Sequence, residues 1–187
     1  MQEIAEHVSQ QSVVDPADMI ELEGIDMTLP EDQIIPKLME NLYNVGFLAL
    51  VNVHEYDEAE LFTAVKAFYK DIPAEEHANM IWHNHRPQNK NYYRGLTPFV
   101  DNDPAHKEMY DMGGTLNLCS DEAIKLPLYE DTPFAPQEQH KWIQEVFKRQ
   151  YNRMHALSLK LLEYLAIGLG KDRYFFHAWF EHDSLST

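Results

Sequence analysis

Two stretches decide how this chain is read: Asn91-Tyr92-Tyr93-Arg94-Gly95 and, beginning twelve residues after Gly95, Lys107-Glu108-Met109-Tyr110-Asp111-Met112-Gly113. Around them, from Trp82 to Pro136, no helical period runs; prolines, asparagines and short apolar pieces point to irregular strands and loops. Tyr92 to Phe99 and Lys107 to Met112 are predicted as strands, with Asp101-Asn102-Asp103-Pro104 as the turn between them. Successive strand residues face opposite ways, so one of Tyr92 and Tyr93 can face a pocket while the other packs or meets solvent. Glu108 and Asp111, three apart, fall on opposite faces and make no catalytic carboxylate pair.

Helices flank this region. Between Glu31 and Asn44, Ile34, Ile35, Leu38, Met39 and Leu42 recur at helical spacing; Pro36 begins or kinks the helix and Gly46 stops it. Phe47 to Val53 is short, apolar and rich in strand formers, and reads as a buried strand. Asp57 with Glu60 resembles a capping box opening a helix whose apolar face carries Leu61, Phe62, Val65, Phe68 and Tyr69. Ile72-Pro73 ends it, and Pro73 with Glu75 and Glu76 starts another. A long helix follows, striped by Ile143, Val146, Phe147, Gln150, Tyr151, Met154, Leu157, Leu161, Leu162 and Leu165, and closed by Gly168 and Gly170. Met19-Ile20-Glu21-Leu22 reads as a short strand, and residues 1–17, without a clear apolar period, as a flexible arm. The mixture is α+β, with no internal repeat and no Gly- or Ser-rich linker.

Composition narrows the function. With 44% hydrophobic and 25% charged residues in 187, the chain is an ordinary globular protein able to bury a sizeable core. A formal net charge of −16, with the densest basic cluster (Lys148, Arg149, Arg153) set among acids, argues against nucleic acid and anionic membranes as partners. One cysteine, Cys119, excludes an internal disulfide and has no activating base beside it. The longest apolar run, Val45 to Val51, is far short of a membrane span, and the polar, acidic first ten residues are unlike a signal peptide. The cytoplasm is the default location.

The order of these pieces resembles the isopenicillin-N-synthase-like family of iron(II)- and 2-oxoglutarate-dependent oxygenases, in its amino-terminal half. A first helix ends in Val45-Gly46-Phe47 and leads into a strand; a helical pair, the Tyr-Tyr-Arg-Gly segment and Lys-Glu-Met-Tyr-Asp-Met-Gly follow. The long helix then ends in Ala166-Ile167-Gly168-Leu169-Gly170-Lys171, with Phe175-Phe176 and Ser184-Leu185-Ser186-Thr187 after it. The resemblance runs over roughly residues 18 to 187. It implies helices buttressing the first strands of a double-stranded β-helix (jelly roll). It implies Fe(II) and 2-oxoglutarate as cofactors, and a small organic substrate that is hydroxylated, desaturated or cyclised.

Two histidines and a carboxylate hold iron in such enzymes, leaving positions open for the oxo acid and dioxygen. The family's His-x-Asp pair, distant His and oxo-acid clamp are expected beyond Thr187, so this chain is expected not to turn over alone. His182-Asp183 is adjacent, without the intervening residue, so its side chains would point to opposite faces of a strand. No metal ligand or catalytic residue is therefore assigned. His83 and His85 would share a strand face, but nothing at a recognised spacing completes a zinc site, and a polar loop is the simpler reading.

By resemblance Tyr93 lines the substrate pocket, with Tyr92 and Arg94 behind it and Thr187 supplying a pocket hydroxyl. Both tyrosines can equally be core residues, and Arg94 can act as an anion anchor or pair with a surface acid. Where isopenicillin N synthases carry a carboxylate-binding arginine, this chain has Asn89 beside Lys90, which argues against a penicillin-type tripeptide. The alternative function is a truncated, non-catalytic binding or dimerisation module that self-associates through exposed apolar surface. Exposure of Leu157, Leu161 and Leu165 would favour it.

Overall fold

The computed structural model describes residues 22–54, 56–101, 104–114 and 129–179. The arm, Met19 to Glu21, Cys119, His182-Asp183, Ser184 to Thr187 and part of the 101–104 turn lie outside these residues. The described chain forms two compact units that divide between Asn52 and Val53, at a place where the sequence carries no linker composition. Among the described residues no helix is long and apolar enough to cross a membrane.

The first unit is a β-α-β crossover. Strand β1 (Ile25–Asp26) and strand β2 (Leu50–Val51) pair in parallel, Ile25 opposite Leu50, with helix α1 (Glu31–Asn44) between them. Pro30 caps α1, Glu31 and Asp32 place negative charge in its first turn, and Pro36 sits inside it, so the helix starts before that proline. Ile34 and Leu38, four apart, bury their side chains together with Ile25. The N–H groups of Val45 and Gly46 both return to the Asn41 carbonyl, closing the helix at the expected place. The expected buried strand over Phe47 to Val53 is corrected: only Leu50–Val51 pairs, Phe47 is 71% exposed and Val51 is exposed. A two-residue ladder with a partner on one side leaves the flanking apolar residues uncovered.

The second unit holds the larger core. Helix α2 (Glu58–Asp71) begins where Asp57 Oδ1 accepts from the Glu60 N–H at 2.9 Å. Helix α3 (Ala74–Met80) follows with Pro73 at its cap, and helix α4 (Lys141–Gly168) is the long one. Strands β3 (Gly95–Thr97) and β4 (Met109–Asp111) pair antiparallel, Leu96 opposite Tyr110. The core gathers Ala64, Ala67, Phe68 and Ile72 of α2 and its end, Met80, Leu96, Ala135, and Ile143, Val146 and Phe147 of α4. The small Ala64 and Ala67 let α2 approach α4 closely, since interhelical distance is set by the side chains at the contact. Of the expected apolar face of α2, Phe68 is buried and Leu61 and Val65 pack against the core, whereas Phe62 and Tyr69 are corrected to exposed positions and Ala64 and Ala67 join the buried stripe. Arg149 and Arg153 of α4 reach Glu60 of α2, at surface positions where such pairs add less than about 1 kcal/mol.

Tyr110 ties the hairpin to this core. Its ring lies 4.7 Å from Phe68 and 6.0 Å from Phe147, and its hydroxyl donates to the Pro133 carbonyl at 2.6 Å. Burial pushes its phenol well above the ordinary tyrosine range. On α4, Leu157, Leu161 and Leu165 are half-buried, neither the open stripe nor the sealed one, while Tyr164 and Ala166 are fully buried.

Phe68→Ala should therefore cost about 3–5 kcal/mol of unfolding free energy in urea titration, against under about 0.5 kcal/mol for Phe62→Ala on the same helix. Equal losses would contradict the exposed position of Phe62.

Candidate functional site

The Tyr92–Arg94 segment does not extend β3. The ladder begins at Gly95, and the three residues before it bend. Their N–H groups end on one carboxylate: Tyr92 donates to Glu130 Oε2 at 2.8 Å, and Tyr93 and Arg94 donate to Glu130 Oε1 at 2.6 Å each. Three donors satisfied by an anion leave no ladder hydrogen bonds to make, which is why the expected strand start at Tyr92 is corrected to Gly95. The turn residue Asn91 adds a bond from Nδ2 to the Asp131 carbonyl at 2.6 Å.

Arg94 completes the arrangement from inside. It is 3% exposed, and its Nη1 donates to the carbonyls of Glu130 (2.7 Å) and Gly114 (3.1 Å). Among the described residues its Nε finds no hydrogen-bond partner. The surface ion pair considered for Arg94 is thus replaced by a buried guanidinium serving backbone carbonyls. Two glycines permit this. Gly95 has φ +135°, and a Cβ there would run into the Met80 carbonyl; a Cβ on Gly113 would run into the Arg94 guanidinium.

The tyrosines point outward. Tyr92 is 56% exposed and Tyr93 42%, so neither is a core residue, and the bend removes the alternation a strand would impose. Tyr92 packs its ring 4.6 Å from His83, whose Nδ1 meets the Asn89 carbonyl at 3.0 Å. Asn89 itself donates from Nδ2 to the carbonyls of Ala78 (2.9 Å) and Ile81 (2.5 Å), locking the 82–91 loop to the end of α3. It works as a loop brace, so the missing arginine is replaced by a structural amide. Thr187 lies outside the described residues.

Gly113, Gly114, Thr132, Gln144, Lys148 and Tyr151 are among the residues that line a cavity of about 290 Å³, and Tyr92, Tyr93 and Arg94 do not line it. Elsewhere, Glu76 of α3 and His140, which precedes α4, are both buried, with Glu76 Oε2 3.5 Å from His140 Nδ1 and, among the described residues, neither atom within a hydrogen bond. Neither this pair nor Glu130 stood out in the sequence: Glu76 looked like a first-turn surface acid, and Glu130 has no local pattern. Only its distance of 36 residues from Arg94 in sequence, bridged in space, reveals it.

Iron would need two histidines and a carboxylate on one face. Among the described residues no group of three or more His, Cys, Asp or Glu could hold a metal ion. His83 and His85 sit in a turn, His83 on Tyr92 and His85 edge-on to Trp82 at 5.4 Å. The described residues therefore do not fit the iron.

The fold is one shared with 2OG-Fe(II) oxygenases. A 2OG-Fe(II) oxygenase family protein from Caulobacter crescentus matches with a TM-score of 0.64 at 21% identity, over 85% of this chain and 52% of that one. The C-terminally truncated T7H of Neurospora crassa, in apo form, matches at 0.61 and 19% identity, over 87% of this chain and 58% of its own. The full-length T7H in complex with alpha-KG and thymine gives 0.61 and 18%, over 86% and 52%. The chain thus spans between half and three-fifths of the length of these structures, and at such identities the likeness is one of fold. No protein-family model matches the chain, and no curated protein is similar to it.

Gly113→Ala should lower stability by about 1–3 kcal/mol in urea denaturation, because the new methyl displaces a buried guanidinium. A neutral effect would show that Arg94 does not lie against Gly113.

Proposed function

We propose that this chain belongs to an isopenicillin-N-synthase-like, Fe(II)- and 2-oxoglutarate-dependent oxygenase, and that it forms the substrate-pocket wall of that enzyme. The observation that carries the reading is the fold shared with 2OG-Fe(II) oxygenases, one of them solved with alpha-KG and thymine bound. In this reading the helices of the second unit buttress the first strands of a double-stranded β-helix, with β3 and β4 among them. Tyr93 faces the substrate, Tyr92 stands beside it against His83, and Thr187 contributes a hydroxyl. Arg94 supports the wall from behind: its buried guanidinium holds the backbone that carries both rings. A flat phenol ring, partly exposed and carried on a fixed backbone, suits a small planar organic molecule by stacking and by one hydrogen bond.

The described residues supply no iron triad, and no His-x-Asp spacing occurs in the sequence. The 187-residue chain by itself is accordingly read as binding substrate without turning it over. With iron(II) and 2-oxoglutarate it should release no succinate above a protein-free control. Thymine, taken as a probe of planar substrates, should perturb the Tyr93 ring signals in NMR titration, and Tyr93→Ala should weaken that binding about tenfold, roughly 1.4 kcal/mol. Steady succinate release, or titration that leaves Tyr93 untouched, would overturn the reading.

One observation favours the second reading, a non-catalytic dimerisation module. After α4, Leu169, Tyr174, Phe175 and Trp179 are all exposed, with the Phe175 and Trp179 rings 5.5 Å apart. That reading predicts a concentration-dependent dimer in sedimentation, dissociated by Trp179→Asp. A monomer at every concentration removes it.

A further inference from the structure

We propose that Glu130 is the positioning residue of the tyrosine wall, its carboxylate fixing the direction in which the Tyr92 and Tyr93 rings leave the backbone. The role in substrate binding rests on the pocket-wall reading above; the positioning itself does not.

The geometry is unusual for a carboxylate. Each peptide plane from residue 91 to residue 94 points its N–H at the same side chain, two of them at the same oxygen. Successive N–H groups diverge in a strand and run parallel in a helix, so convergence on one group fixes a single bent backbone path. The tie is reciprocal. Arg94 Nη1 holds the Glu130 carbonyl and Asn91 Nδ2 holds the Asp131 carbonyl, so the segment that receives the carboxylate also fixes where that carboxylate starts.

Burial cannot do this work. With 56% and 42% of their surface exposed, Tyr92 and Tyr93 are not aimed by a packed core, and none of residues 91–94 or 130 belongs to the hydrophobic cluster. The backbone sets the direction in which each Cα–Cβ bond leaves the segment, and the side chain that holds that backbone is Glu130; the Tyr92 ring rests in addition on His83. A glutamine there keeps the shape but offers one acceptor oxygen instead of two and turns an NH₂ toward N–H donors.

The test compares the full chain with Glu130→Gln and Glu130→Ala by NMR. Amide exchange at residues 92–94 reports the clamp, amides at residues 143–147 report global stability, and the ring-current shift of His83 reports where the Tyr92 ring points. Positioning predicts that both variants speed exchange at 92–94 at least tenfold relative to 143–147 and collapse the His83 shift, with Gln behaving like Ala. A purely space-filling role predicts a wild-type-like Gln variant, which would overturn the proposal. Should the variants fail to fold, the unmodified protein decides: scalar couplings across the hydrogen bonds from the amide nitrogens of 92, 93 and 94 must end on the Glu130 carboxyl carbon, and couplings that end on backbone carbonyl carbons overturn it. Thymine separates the two readings. A wild type that ignores thymine while Glu130→Gln still releases the rings supports the positioning and defeats the pocket wall. Thymine bound equally by wild type and Glu130→Gln defeats the pocket wall if exchange at 92–94 has risen and the His83 shift has collapsed, and defeats the positioning if neither has changed.

Discussion

Glu130 and Arg94 hold together two segments that are 36 residues apart, and the bend that leads into β3 and exposes Tyr92 and Tyr93 depends on that contact. The carboxylate takes three N–H groups, and the guanidinium takes two carbonyls, one of them Glu130's own. Charge-assisted hydrogen bonds contribute about 1.5–3 kcal/mol each when one partner is ionised. The buried guanidinium gains more from being served than it would from packing alone, because a charge left unpaired in the interior costs several kcal/mol. Removing either partner strands the other's polar groups. Gly113 follows from the same demand, since a side chain there would meet the Arg94 guanidinium; Gly95 answers to a different neighbour, the Met80 carbonyl.

The helical frame was legible because its signals are local. Asp57 with Glu60 gave the start of α2, Pro73 gave the start of α3, and the spacing of Ile143, Val146 and Phe147 gave the buried end of α4. One edge of the α2 face was misread for a physical reason: Leu61, Val65 and Phe68 meet the core as expected, but hydrophobicity ranks Phe62 and Tyr69 above Ala64 and Ala67, whereas the contact with α4 selects small side chains. The Phe47 to Val53 stretch was misread as buried because strand propensity says nothing about what lies on either side.

The site was legible only in part. The Tyr-Tyr-Arg-Gly segment marked the place, yet every feature that shapes it is non-local. Glu130, Asp131 and Gly114 have no periodic or motif relation to residues 91–94, so no window of sequence contains the clamp. Asn89 was noticed for an arginine it replaces, and what it does is brace a loop through the Ala78 and Ile81 carbonyls. The exposure of Tyr92 and Tyr93 was not legible either, because it follows from the bend that the Glu130 carboxylate imposes and not from strand alternation.

The most direct test of this account is a measurement of trans-hydrogen-bond scalar couplings in the uniformly labelled chain. The account predicts couplings from the amide nitrogens of Tyr92, Tyr93 and Arg94 to a single carbon, the side-chain carboxyl of Glu130. Couplings from those amides to backbone carbonyl carbons instead would mean that β3 extends through the tyrosines as an ordinary strand, and the clamp would be gone.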